Sequence, residues 1–152
     1  MNFPKDELTF ALGFLGAVLG VINLWRALDR DRVKLRVTPL IAYLVGDIDE
    51  RPRLCIEIVN LSVFPVTVKE VGFTVWCSNY KLVCVNTILS DKKLWPCKLD
   101  SRESVTVYFD PSLPQEQHFQ QIRRAYAKTE CGETRYGKSK ALSEYIAYSV
   151  KV

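Results

Sequence analysis

Eighteen consecutive residues, Leu8 to Trp25 (LTFALGFLGAVLGVINLW), carry no charge. A run of that length is read first as a transmembrane helix. As an α-helix it is about 27 Å long, close to the ~30 Å hydrocarbon core of a bilayer. Its apolar residues are not confined to one stripe: Phe10, Leu12, Phe14, Leu15, Val18, Leu19, Val21, Ile22 and Leu24 surround the axis. A helix apolar on all sides belongs in a large core or in lipid. A chain of 152 residues has little room for a core that encloses a whole helix. Pro4 suits a first helical turn, and Asp6 and Glu7 suit the positive end of the helix dipole. A cleaved signal peptide fits less well. Two acidic residues accompany Lys5, the apolar run exceeds the usual length, and no A-x-A site follows. The competing expectation is a helix buried against other chains of an assembly, such as a virion.

The flanks give an orientation. Lys5 precedes the helix, whereas Arg26, Arg30, Arg32, Lys34 and Arg36 follow it. Basic residues collect on the cytoplasmic side, so the C-terminal part is expected in the cytoplasm. Trp25, Arg26, Arg30 and Arg32 are the expected interfacial anchor, with membrane lipid as their partner. Gly16 and Gly20 form a G-x-x-x-G pair, and Gly13 with Ala17 adds a second small pair. Small residues let helices approach closely in lipid, which makes a homo-oligomer through this helix an expectation. The expected organisation is a transmembrane helix over 1–28, a basic juxtamembrane linker over 29–34 and a cytoplasmic domain over 35–152.

The cysteines agree with a reducing compartment. There are five, Cys55, Cys77, Cys84, Cys97 and Cys131, and an odd number leaves no complete disulfide framework. Their spacing matches no zinc pattern, and His118 is the only histidine. No metal and no cofactor is expected.

The remainder reads mainly as β. Val33 to Val37 alternates apolar and polar, Pro39 interrupts, and Leu40 to Val45 resumes. Gly46–Arg53 is a turn cluster. Leu54–Val59 is a strand with Glu57 outward, and Asn60–Pro65 (NLSVFP) is a loop or break. Val66–Val68 and Val71–Cys77 are strand-prone. Ser78–Lys81 is a hairpin signal, after which Leu82–Leu89 pairs back. Ser90–Lys93 is a turn, Trp95 to Ser104 is irregular, and Val105–Phe109 is a further strand. One short helix is expected next, with Ser112 and Gln115 as a capping box and Phe119, Ile122 and Tyr126 at helical spacing. Ala125–Thr129 also suits a strand. Glu130–Glu133 is a turn, Thr134–Tyr136 returns as a hairpin, and the tail from Ser143 suits strand or helix. About seven short strands at this spacing predict an immunoglobulin- or fibronectin-like β-sandwich with one short helix. The antibody hallmark is missing, because Cys131 has Thr129, not Tyr, two positions before it.

An apolar helix, a basic stretch, N-L-S-x-F-P-V-T-V (Asn60–Val68) with Val71-Gly72-Phe73, S-R-E-S-V-T-V (Ser101–Val107) and C-G-E-T-R-Y (Cys131–Tyr136) follow one another. Together they resemble a loose group of uncharacterised bacterial and prophage single-pass membrane proteins with an immunoglobulin-like domain. The resemblance covers most of the chain. It implies a fold and a membrane pass, and no activity.

Chemistry-bearing patterns are few. With His118 the only histidine, no convincing Ser/His/Asp arrangement stands out in the sequence. Neither G-x-x-x-x-G-K-[ST] nor G-x-G-x-x-G occurs, and Gly137-Lys138-Ser139 only imitates the end of a phosphate loop. The expectation is a non-enzymatic protein. The chain has 21 basic and 17 acidic residues, net +4. Arg123, Arg124, Lys128, Arg135, Lys138 and Lys140 group around the final hairpin, interleaved with Tyr126 and Tyr136. They form a candidate basic patch for anionic lipid. Nucleic acid is the less favoured ligand, because no nucleic-acid motif accompanies the patch. The expected partner is another protein, met by the edges and loops of the sandwich in an adaptor or scaffold.

Overall fold

The computed structural model describes residues 5–43, 52–76, 81–83, 88–89, 95–109 and 119–149. The chain divides into two compact units, residues 1–32 and 33–152.

The first unit is one helix, α1 (Lys5–Arg30). It continues five residues past Trp25, so the first two residues of the expected linker are helical. Its Thr9–Arg30 stretch has a mean hydropathy of 1.7 over its most apolar window and none of that window is buried. It is long and apolar enough to cross a membrane.

The second unit is mainly β. Its strands are β1 (Leu35–Ala42), β2 (Arg53–Asn60), β3 (Val66–Val75), β4 (Lys81–Val83), β5 (Ile88–Leu89), β6 (Cys97–Leu99), β7 (Ser104–Tyr108), β8 (Ile122–Thr129) and β9 (Thr134–Gly137). One sheet has the order β1-β2-β7-β5, and the other β4-β3-β8-β9 with β6 also on β3. Every pairing among them is antiparallel.

The period-2 burial of the strands explains the two layers. Leu54, Ile56 and Ile58 of β2, Val105 and Val107 of β7 and Leu35 and Val37 of β1 point inward from one sheet. Val66, Val68, Val71 and Phe73 of β3, Leu99 of β6 and Ala125 and Ala127 of β8 meet them from the other, in one continuous core. Phe73 and Phe109 touch across it, ring centroids 4.8 Å apart. The small side chains of Ala125 and Ala127 leave room for these rings.

Several sequence expectations are corrected. Pro39 does not interrupt β1, which runs through it in register with Ile56. Its carbonyl, and hence its nitrogen, faces away from β2, so the missing N–H removes no ladder bond. Val66–Val75 is a single strand with a register shift between Val68 and Glu70. Leu82–Leu89 is not one returning strand: Lys81–Val83 pairs with β3, whereas Ile88–Leu89 pairs with β7 in the other sheet. Cys97–Leu99, expected to be irregular, is β6 on β3.

The expected helix through Phe119, Ile122 and Tyr126 is absent. Phe119–Gln121 is a single 3-10 turn and Ile122–Thr129 is β8. Ala125, Ala127 and Thr129 face inward while Arg124 and Lys128 stay partly exposed, a period of two that outweighs the helical spacing of three aromatic and aliphatic residues. The proposed cap at Ser112–Gln115 lies outside the described residues. So do the turns at Gly46–Arg51 and Ser90–Lys93. The short helix of this unit is instead α2 (Lys140–Ser149), in the ambiguous tail. Ser139 caps it, its Oγ accepting from Leu142 N at 3.2 Å. Leu142 and Tyr145 join the core, with Tyr145 edge-on to Phe119.

The two sheets meet where edge β9 runs beside edge β1. Arg135 Nη2 donates to Val33 O at 3.0 Å, and Ser139 Oγ donates to Pro39 O at 2.5 Å. Between them Gly137 brings its backbone against Val37 O, where a Cβ would overlap the carbonyl. Residues 137 and 139 thus meet the outward carbonyls of Val37 and Pro39 in β1, and Arg135 meets that of Val33 just before it.

Candidate functional site

The most over-determined part of the β unit is the Asn60–Pro65 loop. Asn60 is fully buried. Its Nδ2 donates to Phe64 O at 2.9 Å, Leu99 O at 3.1 Å and Asp100 O at 3.1 Å, and its Oδ1 accepts from Ser62 N at 2.9 Å. Ser62 Oγ accepts from Lys34 N at 2.8 Å, and Ser101 Oγ donates to Ser62 O at 2.8 Å. Asn60 O also accepts from Arg102 N, whose residue is held at φ 66°. The N-L-S segment is therefore a clamp joining β1, β2 and the Asp100–Glu103 turn. An Asx turn at a strand end is the sequence signal that could have revealed it. Asn60 spends its whole amide internally and offers nothing to a ligand.

The candidate basic patch divides in two. β8 places Arg124, Tyr126 and Lys128 on the sheet face turned away from the core, with Arg123 at a second register shift, opposite Thr74 and Val75. Arg124 lies over the Tyr136 ring at 3.7 Å and Arg123 over the Trp76 ring at 4.3 Å. Lys81 of β4 lies over the Tyr126 ring at 5.0 Å. Tyr126 is buried beneath these groups and donates to Glu70 Oε1 at 2.5 Å. Burial and the neighbouring Glu70 carboxylate hold the Tyr126 phenol well above its ordinary value. Lys128 stands opposite Glu70 and Thr134 in the ladder.

Two of the other expected members, Arg135 and Lys140, are used elsewhere. Arg135 pairs with Glu133 at 3.7 Å and bonds to Val33 O, while Lys140 pairs with Glu144 one helical turn on. Lys138 follows the end of β9. Sequence reading missed Lys81 and Trp76, because only strand pairing brings β4 and the end of β3 to this face.

The remaining predicted residues lie on α1, except Arg32, which follows its end. Trp25, Arg26, Arg30 and Arg32 are exposed. No atom outside the helix's own backbone approaches within 4 Å of where a Cβ would stand at Gly13, Gly16 or Gly20. Ala17 shares their stripe by its spacing.

Two of the β unit's thiols, Cys131 and Cys55, differ in exposure. A cleft of about 240 Å³ is lined by Val33, Phe64, Pro65, Val66, Thr67, Thr129, Glu130 and Cys131. The exposed Cys131 thiol there lies 3.1 Å from Thr129 Oγ1, which is no base. Cys55 is buried, and burial with the nearby Glu57 carboxylate pushes its thiol up to about 11, so it stays protonated and inert. No cluster of three or more His, Cys, Asp or Glu able to hold a metal occurs among the described residues. His118, Cys77 and Cys84 lie outside them. The hydroxyl of Ser139, in the Gly137-Lys138-Ser139 sequence, caps α2 and bonds to Pro39.

Comparison with protein-family models, curated proteins and solved structures finds no match to this chain. The fold and the surface geometry carry the functional reading by themselves.

Proposed function

We propose that this chain is a non-enzymatic, single-pass membrane protein that presents a β-sandwich to a protein partner. The observation that carries this reading is α1: an 18-residue uncharged run, Leu8 to Trp25, in a helix whose most apolar window is wholly exposed, followed by a separate compact β unit. Exposing that much apolar surface to water is unfavourable by roughly 25 cal/mol per Å², which lipid removes. The basic residues after Trp25 support a cytoplasmic β unit held at the bacterial inner membrane, with Trp25, Arg26, Arg30 and Arg32 at the lipid interface. The immunoglobulin-like kinship and a phage- or defence-related setting rest on the motif resemblance. The role that fits is an adaptor or scaffold.

Carbonate extraction and protease protection test the proposal. The β unit is expected to be shielded in intact spheroplasts and cut in inverted vesicles. Cleavage in spheroplasts overturns the cytoplasmic placement. A protein that stays soluble as an oligomer without detergent overturns the membrane pass in favour of a helix packed in an assembly. Self-association through α1 belongs to the same reading. Gly16→Ile with Gly20→Ile is expected to abolish crosslinked oligomers in membranes. Unchanged crosslinking makes the glycines incidental.

A further inference from the structure

Resting on that reading, we propose that the outward face of the β4-β3-β8-β9 sheet is a docking surface for an acidic, extended segment of a partner protein. Three observations point to it.

The first is unneutralised charge. Lys81, Arg123, Arg124 and Lys128 lie on or beside this face, and Lys138 follows its edge strand. None of them is ion-paired among the described residues, unlike Arg135 and Lys140. Glu70 is the acidic residue in the same ladder, and its carboxylate already accepts from Tyr126.

The second is orientation. Arg123 and Arg124 stack on Trp76 and Tyr136, and Lys81 lies over Tyr126. Stacking on a ring pre-organises each planar guanidinium, so little entropy is lost when a carboxylate binds it, and the buried Arg124 Nε–H has no hydrogen-bond partner among the described residues.

The third is shape. From Glu70 to Trp76 the face runs about 20 Å, and four strands make it about 14 Å wide. That is the footprint of some six extended residues. Val83, Trp76 and Tyr136 stay about half exposed, at 47%, 56% and 46%, and offer apolar contact between the charges.

Two other ligands fit this face less well. Bases stack on open ring faces, but guanidinium and ammonium groups lie over these rings. A polyphosphate chain has no apolar group to set against the half-exposed Val83, Trp76 and Tyr136. Edge addition at β1 is obstructed, because Gly137 lies against Val37 O and Ser139 Oγ bonds to Pro39 O.

The test uses the full-length protein in nanodiscs of zwitterionic lipid. Its probes are a fluorescent peptide alternating Glu and Val, the matching Gln-Val peptide, an oligothymidylate and phosphatidylglycerol vesicles. The Glu-Val peptide is expected to bind alone. Arg124→Gln with Lys128→Gln should weaken it roughly tenfold, by loss of two contacts, and Lys140→Gln should leave it unchanged. Lys81→Gln with Lys138→Gln, both in exposed positions, should also weaken it and guards against misfolding of the first pair. Equal binding of the Gln-Val peptide, loss with Lys140→Gln, or preference for the oligonucleotide or vesicles overturns the proposal.

A photo-crosslinking residue replacing Val83, and another replacing Thr106 on the opposite sheet, separate this inference from the broader reading. Adducts to an acidic segment at Val83 support it. Adducts at Thr106 only, or at Val83 to a non-acidic segment, overturn it and leave the membrane-anchored interaction protein standing. Protein adducts at neither position overturn both.

Discussion

Replacing Asn60 tests whether the NLSVFP segment is a structural clamp. In Asn60→Ala, Ser62 N and the carbonyls of Phe64, Leu99 and Asp100 lose their partner. The two amide hydrogens are shared among three acceptors, so about three bonds are lost. At about 1 kcal/mol net each, the cost is about 3 kcal/mol. That is a large part of a typical total of about 5–15 kcal/mol. With a urea slope of about 1.5 kcal/mol per M, the unfolding midpoint should fall by about 2 M. Asn60→Asp keeps the volume but turns a carboxylate toward three carbonyl oxygens. Burial and those dipoles raise the folded-state pKa of the introduced carboxyl above its unfolded value of about 3.9. The penalty is therefore absent below that value and grows by about 1.4 kcal/mol per pH unit until the folded pKa is passed. Asn60→Asp should be less stable than Asn60→Ala at pH 7, and the gap should close near pH 4. Near-UV circular dichroism of the detergent-solubilised full chain follows the β unit through the urea transition. An unchanged midpoint in Asn60→Ala, or an Asn60→Asp protein no worse than Asn60→Ala at pH 7, refutes the clamp.

Three further outcomes are expected. Gly137→Ala places a Cβ on Val37 O, so β9 must part from β1; thermal unfolding should show a loss of about 2 kcal/mol or more, with faster amide exchange along β1. The Tyr126 phenol is held above its ordinary value of 10.0; its contribution is intact below that pH and is lost as unfolded tyrosine ionises above it, so the wild type should lose stability above about pH 10. Tyr126→Phe, measured by the same melts, should flatten that alkaline loss and cost about 1–2 kcal/mol at neutral pH. At pH 8, mass-spectrometric mapping of alkylation should find Cys131 modified while Cys55 and Cys97, both buried, react only after denaturation.

Local patterns carried much of the fold. The uncharged run became α1, and the alternation of Leu54–Val59 and Val105–Tyr108 became adjacent strands β2 and β7. The turn at Glu130–Glu133 and the return of Thr134–Tyr136 became the β8–β9 hairpin. Where expectation and structure part, a short segment was decided by distant neighbours. Cys97–Leu99 is too short to signal a strand, and becomes one because Val66–Val68 offers it a ladder. Ile122–Thr129 contains helical spacing, but its alanines fit beneath Phe73 and Phe109 only as a strand.

The candidate site was legible in the same uneven way. The cluster of cations around the final hairpin is visible as composition, and Arg124 and Lys128 do share one face. Arg135 does not, because it stands opposite Ala127 on the other side of the ladder. Lys81 joins the face by pairing with Thr74 of β3, and β3 with the adjoining Trp76 meets β8 through pairings some fifty residues apart in the chain.

The sequence by itself determined the apolar helix, the basic stretch after it and the period-2 segments. These are properties of neighbouring residues: their transfer free energy, their charge and the side to which each side chain points. Only the tertiary structure decided which edges close on one another, which cations are spent on carboxylates or carbonyls, and which stay free over aromatic rings. Those outcomes depend on burial and strand register between distant segments, where desolvation and steric fit act, and no local pattern encodes them.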